Sequence, residues 1–411
     1  MSTTARLGLL ACLYFSQGVP YGFFAKGLPS LMREQGMSLE GIGLTSLLFL
    51  PWALKFLVGP VVDGFGRRTA WILPLQAASV ILLAVMAGFS LTADLPTVMA
   101  LVAVVCVVSA LQDVATDGLA VDLLRAQEVG AGNAVQVGAY RIGMVLSGGV
   151  LLILYARLGW DGAFYVMAGL LLLASVPVAL YREPARGVGV SALKRPDSKE
   201  KVPFKAGLLD FIARPGAGPW LLLLVLYKTF DALPGRMVGP MLTDQGHDIQ
   251  AIGEVLGTVG SVAALLGAIL AGVVLRTMSR GRALLVFGLL QAAALALYLL
   301  PALEVGGMRA LYVAVAADEL FGTLATVALF SAMMDVCRPG WAATDYTVQA
   351  SLVVVATGAA GALGGYVAAN AGYPGLFALT TGLTLAGWLG VRALLARGVL
   401  TRLGADGTNP A

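Results

Sequence analysis

Charge is scarce in this chain, and histidine and cysteine are almost missing. Of 411 residues, 12% are charged, one is His and three are Cys, whereas an ordinary soluble domain is about 25% charged. His247 and the scattered Cys12, Cys106 and Cys337 show no paired spacing, which argues against a disulfide framework and a His/Cys metal centre. No phosphate-cradling Gly-rich loop with its Lys occurs, so no nucleotide-driven step is expected. Nor is there a Gly-x-Ser-x-Gly elbow, and no catalytic grouping is recognisable. The first apolar run carries Gln17, Pro20 and Lys26 without a small-x-small cleavage site, so it reads as a retained span and not a cleaved signal.

What is abundant is apolar surface. The chain is 58% hydrophobic with 52 Gly, and its mean hydropathy is +0.86. Apolar runs of about 20 residues recur along its length, long enough to cross a bilayer. Twelve spans are expected, near 7–31, 39–61, 70–92, 97–119, 132–156, 162–181, 219–242, 249–273, 283–302, 309–333, 342–368 and 375–396. Lipid-embedded segments of this length must be helices, because only helices satisfy their own backbone. The fold class is therefore an all-α polytopic membrane protein with twelve transmembrane helices. Nucleic-acid binding and secretion are excluded.

The net charge of +4 reflects sidedness more than an anionic partner. With the N-terminus inside, only Arg33, Arg157 and Arg309 fall in outer loops. Arg6, Arg67, Arg68, Arg125, Arg276, Arg280, Arg282, Arg338, Arg397, Arg402 and the basic residues of 182–214 fall inside. That bias puts both termini in the cytoplasm. The long polar connection 182–218 divides an N-terminal bundle, 1–181, from a C-terminal bundle, 219–411, with the connection as a cytoplasmic linker.

The halves repeat each other. Gln35-Gly36 and Ile42-Gly43 recur as Gln245-Gly246 and Ile252-Gly253, and Lys26 maps onto Arg236. Asp122, Arg125, Val135 and Gln136 recur as Asp335, Arg338, Val348 and Gln349, and Leu75-Gln76-Ala77-Ala78 as Leu290-Gln291-Ala292-Ala293. Two pseudo-symmetric six-helix bundles are expected, an arrangement that resembles the major facilitator transporters, whose substrate sites lie near the midplane. Gly59-Pro60-Val61-Val62-Asp63-Gly64-Phe65-Gly66-Arg67-Arg68 is similar to the facilitator loop signature between helices two and three. Gly59 suits close helix approach, Gly66 a tight turn, and Asp63 can cap a neighbouring helix. Asp63, Arg67 and Arg68 are thus expected gating residues. The second-half counterpart, 272–282, keeps Arg276, Arg280 and Arg282 but has no Asp.

Ionisable groups at membrane depth are costly, so each is a functional candidate. The deep acids are Asp113, Asp117, Asp231, Asp318 and Glu319. They fall in spans four, seven and ten, while span one brings Tyr14, Gln17, Tyr21 and Lys26. Lys55 and Arg141 either pair with Asp113 or Asp117, one turn apart on one face, or contact substrate. Lys228 and Asp231, three apart, either pair with each other or belong to the site. Asp318 and Glu319 diverge by about 100° and cannot share one partner. One is expected to face a cavity and the other a neighbouring helix or Arg236.

Tyr14-Phe15-Ser16-Gln17-Gly18-Val19-Pro20-Tyr21, Leu50-Pro51-Trp52-Ala53-Leu54-Lys55-Phe56 and Gln112-Asp113-Val114-Ala115-Thr116-Asp117-Gly118 resemble the AmpG-type branch of the facilitators. Met333-Met334-Asp335-Val336-Cys337-Arg338-Pro339 and Thr344-Asp345-Tyr346-Thr347-Val348-Gln349-Ala350-Ser351 are similar to the RhtX/FptX-type siderophore permeases within it. The resemblance implies a monomeric secondary transporter of the bacterial inner membrane. It would import an iron-loaded siderophore, a small aromatic chelate of the pyochelin kind, by alternating access. The alternative is a muropeptide or other small-anion permease of the AmpG type. Efflux and a membrane-embedded enzyme are further alternatives. Tyr14, Gln17, Tyr21, Lys55, Arg141, Tyr227, Lys228 and Asp231 are the expected substrate contacts, suited to a flat, partly anionic ligand. Protons are the expected coupling ion, on Asp318, Glu319 or Asp113, with Asp117 among the gating residues. No cofactor is expected.

Overall fold

A computed structural model describes residues 1–24, 28, 32, 45, 48, 50–64, 67–91, 93–147, 151–183, 210–234, 237–247 and 253–403. Lys26, Arg33, Gln35, Gly36, Ile42, Gly43, Gly66, Arg236 and most of the expected linker lie outside them. The described residues are helical almost throughout. In chain order they form α1 (Thr3–Gly22), α2 (Leu50–Leu54), α3 (Gly59–Gly64), α4 (Arg68–Met86), α5 (Leu95–Leu123), α6 (Val129–Val145), α7 (Leu151–Leu180) and α8 (Ala217–Lys228). There follow α9 (Val238–Asp244), α10 (Gly260–Val274), α11 (Arg280–Leu297), α12 (Leu299–Ala302), α13 (Gly307–Asp335), α14 (Ala342–Ala396) and α15 (Val399–Arg402).

Among the described residues, seven helices are long and apolar enough to cross a membrane, α4, α5, α13 and α14 among them. Among the described residues, spans two and seven are broken by 3-10 turns instead of running on as one helix. Span two gives α2, a 3-10 turn at Lys55–Leu57, and α3, because Pro60 has no N–H to bond the preceding turn. Span seven gives α8, a 3-10 turn at Phe230–Ala232, and α9. There Pro234 likewise removes a donor. Conversely, α7 and α14 each run two spans together around one glycine, Gly159 at φ 75° and Gly372 at φ 68°. These conformations suit Gly because no Cβ opposes them. The two glycines are repeat-equivalent, as are the buried Phe164 and Phe377 that follow them, so the repeat read from sequence is also present in the backbone.

The chain forms two compact units. Unit 1 holds Met1–Leu124, Val135–Leu208 and Cys337–Ser351; unit 2 holds Arg125–Ala134, Leu209–Val336 and Leu352–Ala411. Each sequence half therefore contributes a short stretch to the other unit, through the starts of α6 and α14. In unit 1, α4 packs on α5 and α7, and α1 on α5 and α7. Their core is Val19, Phe23, Phe24, Leu83, Met86, Val98, Val102, Val105, Phe164 and Met167. In unit 2, α13 packs on α10 and α11, with Val238, Met241, Tyr298, Leu311, Val315 and Phe377 in the core. Large apolar side chains are left outside: Leu172, Leu173 and Leu180 on α7 are 59%, 70% and 78% exposed. Such a surface is compatible with lipid, not with water.

Candidate functional site

The break in span two turns Lys55 toward α5. Its ammonium lies 2.5 Å from Asp113 Oδ2 and 3.0 Å from Asp117 Oδ2, with side-chain exposures of 5%, 14% and 3% for Lys55, Asp113 and Asp117. Asp113 and Asp117 are one turn apart, so one cation reaches both. Tyr14 on α1 donates to Asp117 Oδ1 at 3.0 Å. Of the two readings left open for Lys55, the structure shows the paired one; Arg141 is half-buried on α6. Removing one member of such a buried set leaves an uncompensated charge, which costs about 3–5 kcal/mol. Beside the triad, Tyr21 packs edge-on against Trp52 and tilted against Tyr140. Gln17 is buried, and neither of its amide atoms has a hydrogen-bond partner among the described residues.

A second set in unit 1 surrounds Asp63. Its Oδ2 accepts from Thr344 N at 2.7 Å and Thr344 Oγ1 at 2.6 Å, and its Oδ1 accepts from Ala343 N at 3.3 Å. Asp63 thus supplies the acceptor that the free N–H groups at the start of α14 need. The basic partner of Asp63 is Arg68, not Arg67. Arg68 is fully buried and its guanidinium pairs with Asp63 and, at 3.3 Å, with Asp122; Arg67 is exposed at the N-cap of α4. Glu183 holds the same helix start, accepting from Arg68 N, Thr69 N and Thr69 Oγ1 at 3.0, 2.8 and 2.9 Å. The two glycines nearby are there for space. A Cβ on Gly59 would lie 2.7 Å from Thr344 Cα, and one on Gly118 2.9 Å from Arg68 Cζ and Ala343 Cβ.

In unit 2 the counterpart of Arg68–Asp122 is Arg280–Asp335, at 2.6 Å. The loop counterpart of Asp63 has no Asp, and Asp335, which matches Asp122, carries the pairing with the basic residue in this half. Arg214 donates to the terminal carbonyls of two helices, Val336 O at 2.9 Å and Leu403 O at 3.0 Å. Deeper in unit 2, Lys228 Nζ lies 2.5 Å from Asp231 Oδ2, and Gln291 Nε2 donates to the same oxygen at 2.7 Å. Asp318 accepts from Tyr298 Oη at 3.3 Å. Gly322 sits beside both groups: a Cβ there would be 3.2 Å from Gln291 Nε2 and 4.0 Å from Asp318 Oδ1. Glu319 diverges from this set, its Cγ 3.4 Å from where a Cβ on Gly260 would lie.

The expected site residues therefore fall into three groups: Tyr14, Lys55, Asp113 and Asp117; Gly59, Asp63 and Arg68; and Tyr227, Lys228, Asp231 and Asp318. Sequence reasoning missed Asp122, Glu183, Thr344, Gln291 and Tyr298 as partners. The repeat had singled out Asp122 and Gln291, and that was the available signal. Glu183 and Thr344 carry none, because each acts through a distant helix start.

All-helical architecture, lipid-compatible surfaces and buried ion sets define a polytopic membrane transporter. The chain belongs to the Major Facilitator Superfamily, whose family model matches residues 10–356. It is 33% identical over 357 residues to the anhydromuropeptide permease of Escherichia coli strain K12, covering 85% of this chain and 72% of that protein. Among solved structures, the E. coli fucose:proton symporter superposes with a TM-score of 0.74 at 11% identity, covering 96% of this chain and 99% of that one. A bacterial homologue of the iron transporter ferroportin, in an outward-facing state, gives 0.69 at 16% identity, covering 96% and 100%. At these identities the two structures speak for the fold alone.

The siderophore resemblance is not supported by these comparisons, and the structure explains why its residues were a poor guide to substrate. Asp335 pairs with Arg280. Asp345 receives Arg338 through its backbone N–H and its guanidinium. Gln349 donates to Asp345 O at 2.9 Å. These residues hold helix ends, a task independent of what is carried.

Proposed function

We propose that the protein is an AmpG-type permease that imports a muropeptide, a sugar–peptide anion, across the bacterial inner membrane by alternating access. The observation that carries this reading is the 33% identity to the anhydromuropeptide permease, spread over 85% of the chain. The geometry is compatible with it. Each unit holds a buried ion set, on α5 in one and on α8 in the other, with Asp318 of α13 near the second. Paired charges of both signs can exchange partners with a zwitterionic or anionic ligand, which then binds without leaving a charge unpaired. Both termini and the segment between the units are assigned to the cytoplasm from the basic-residue bias. Transport is assigned to a monomer driven by protons, with Asp318, Glu319 and Asp113 as candidate carriers.

The test is uptake in cells lacking their own muropeptide permease. Restoring this chain should restore accumulation of labelled anhydromuropeptide, and radio-iron on aromatic siderophores should not be taken up. Iron uptake without muropeptide uptake would reverse the assignment in favour of the siderophore reading.

A further inference from the structure

α11 and the last part of α14 lie side by side in unit 2. Trp388 Nε1 donates to Leu285 O at 2.8 Å. A Cβ on Gly288 would lie 3.3 Å from Trp388 Cδ1, and one on Gly281 3.9 Å from Leu395 Cδ2. Contacts move down α14 as they move up α11's end, from Gly288 to Gly281 against Trp388 to Leu395, so the helices run antiparallel. Seen from one end, two antiparallel helices wind in opposite senses. The faces next to the contact, on the side of rising residue number, therefore open to the same side of the seam. On α11 that face carries Arg282, Val286 and Leu289, at i, i+4 and i+7. On α14 it carries Leu385, Leu389 and Arg392 at the same spacing. All six are exposed, the four apolar ones by 39% to 57%.

Arg282 and Arg392 stand at one level, each about a turn beyond the Leu285–Trp388 contact and toward the same helix ends. Neither forms an ion pair or a side-chain hydrogen bond, and nor does Arg397, exposed just after α14. The acid at this end of α13, Asp335, is already paired with Arg280. In unit 1 the start of the corresponding helix, α4, is met by the carboxylate of Glu183. By the register that relates Gly159 to Gly372, Glu183 corresponds to Ala396, so this half has no acid in that place. Two level guanidinium groups repel each other, and at the edge of hydrocarbon each needs a polar or anionic partner for its head.

We propose that this seam binds one anionic phospholipid of the surrounding bilayer. Its phosphate would lie between Arg282 and Arg392, and its acyl chains along Val286, Leu289, Leu385 and Leu389. Guanidinium suits phosphate because two N–H groups meet two oxygens at once. Basic residues between membrane helices are a recognised setting for anionic lipid heads. The apolar face continuous with the two arginines favours a lipid over free phosphate, which has no group to cover it. Sidedness asks only for positive charge at one end. It does not ask for two unpaired arginines level on one side of a seam. The site is independent of which substrate the protein carries.

The test is native mass spectrometry of the purified full-length protein in neutral detergent, titrated with phosphatidylglycerol or phosphatidylcholine. One phosphatidylglycerol adduct should persist at collision energies that strip phosphatidylcholine. Arg282→Gln and Arg392→Gln should each weaken it about five-fold, and the double variant should bring it to the phosphatidylcholine level. Leu389→Asn should weaken it with both arginines intact, and Arg309→Gln, at the opposite end of unit 2, should leave it unchanged. Equal retention of the two lipids by the wild-type protein would overturn the proposal, as would unchanged affinity in the folded double variant. Full displacement of the lipid by inorganic phosphate, with no effect of Leu389→Asn, would overturn it in favour of a free-phosphate site. If the double variant does not fold, unchanged affinity in both single arginine variants overturns it equally.

Discussion

Replacing Lys55 by Met tests the unit 1 triad most directly. The ammonium is 5% exposed and touches two carboxylates at 2.5 and 3.0 Å. Met keeps the length and apolar bulk of the side chain but leaves Asp113 and Asp117 facing each other without a cation. Breaking a buried pair costs about 3–5 kcal/mol, and here two acids are orphaned by one change, so the upper part of that range is expected. In thermal unfolding of the purified protein this corresponds to a fall of roughly 5–6 °C for a chain of this size. The companion variants make the argument specific. Lys55→Met with Asp113→Asn and Asp117→Asn removes all three charges, so most of the loss should return. The coupling energy from the cycle should exceed about 2 kcal/mol. Asp117→Asn alone should cost less than Lys55→Met, because Tyr14 can still donate to the amide oxygen. A midpoint within 1–2 °C of wild type for Lys55→Met, or a coupling energy near zero, would refute the idea that the triad is a closed electrostatic unit.

Asp63→Asn removes the charge that caps α14 and pairs with Arg68, a contact worth about 1.5–3 kcal/mol. Maleimide labelling of Cys337, in a background with Cys12 and Cys106 replaced, should rise several-fold, and unchanged labelling would count against a latch. Gly59→Leu or Gly118→Leu should raise the same labelling without touching any charge, since each side chain enters space held by Thr344 or by Ala343 and Arg68. Arg67→Ala should leave labelling unchanged, because Arg67 is exposed while Arg68 carries the buried pairings. Asp318→Asn should fold normally, as the amide oxygen can still accept from Tyr298, yet lose accumulation driven by a pH gradient; full gradient-driven uptake in this variant and in Glu319→Gln would remove α13 from coupling.

Fold class was legible because apolar run length is a one-dimensional property, and most of the spans drawn from it coincide with helices among the described residues. The breaks in spans two and seven were less legible. Pro60 and Pro234 were visible, but proline is tolerated in many membrane helices and its consequence depends on what neighbours re-satisfy the backbone. The list of buried charges was also readable, since hydrocarbon makes each one conspicuous. Their partners were not. Sequence spacing could place Asp113 and Asp117 on one face and could suggest Lys55 for either. It could not show that one ammonium serves both, which depends on the 3-10 turn at Lys55. Glu183 and Arg214 illustrate the remaining limit. Each looked like an ordinary charge at the edge of a polar connection, and each supplies the missing partner for a helix end far away in the chain.

The repeat itself separates framework from chemistry. Residues that hold the two halves together internally are duplicated: Arg68–Asp122 beside Arg280–Asp335, Gly159 beside Gly372, Phe164 beside Phe377. Gln76 donates to Ser16 at 3.1 Å, and its partner Gln291 donates to Asp231 at 2.7 Å, so the same amide serves a hydroxyl in one half and a carboxylate in the other. The buried charges follow no such rule. By the register that aligns Asp122 with Asp335, Asp113 and Asp117 correspond to Thr326 and Phe330, and Asp318 to Val105. A duplicated scaffold tolerates few changes at positions that set its packing, because every such residue meets several others at close contact. A buried acid, in contrast, is destabilising unless something compensates it, so its presence in one half alone calls for a reason other than the fold. Lys55 compensates the acids of unit 1 internally. In unit 2 Lys228 faces Asp231 and Tyr298 donates to Asp318, so the two halves compensate their buried acids with different partners at positions the repeat does not match.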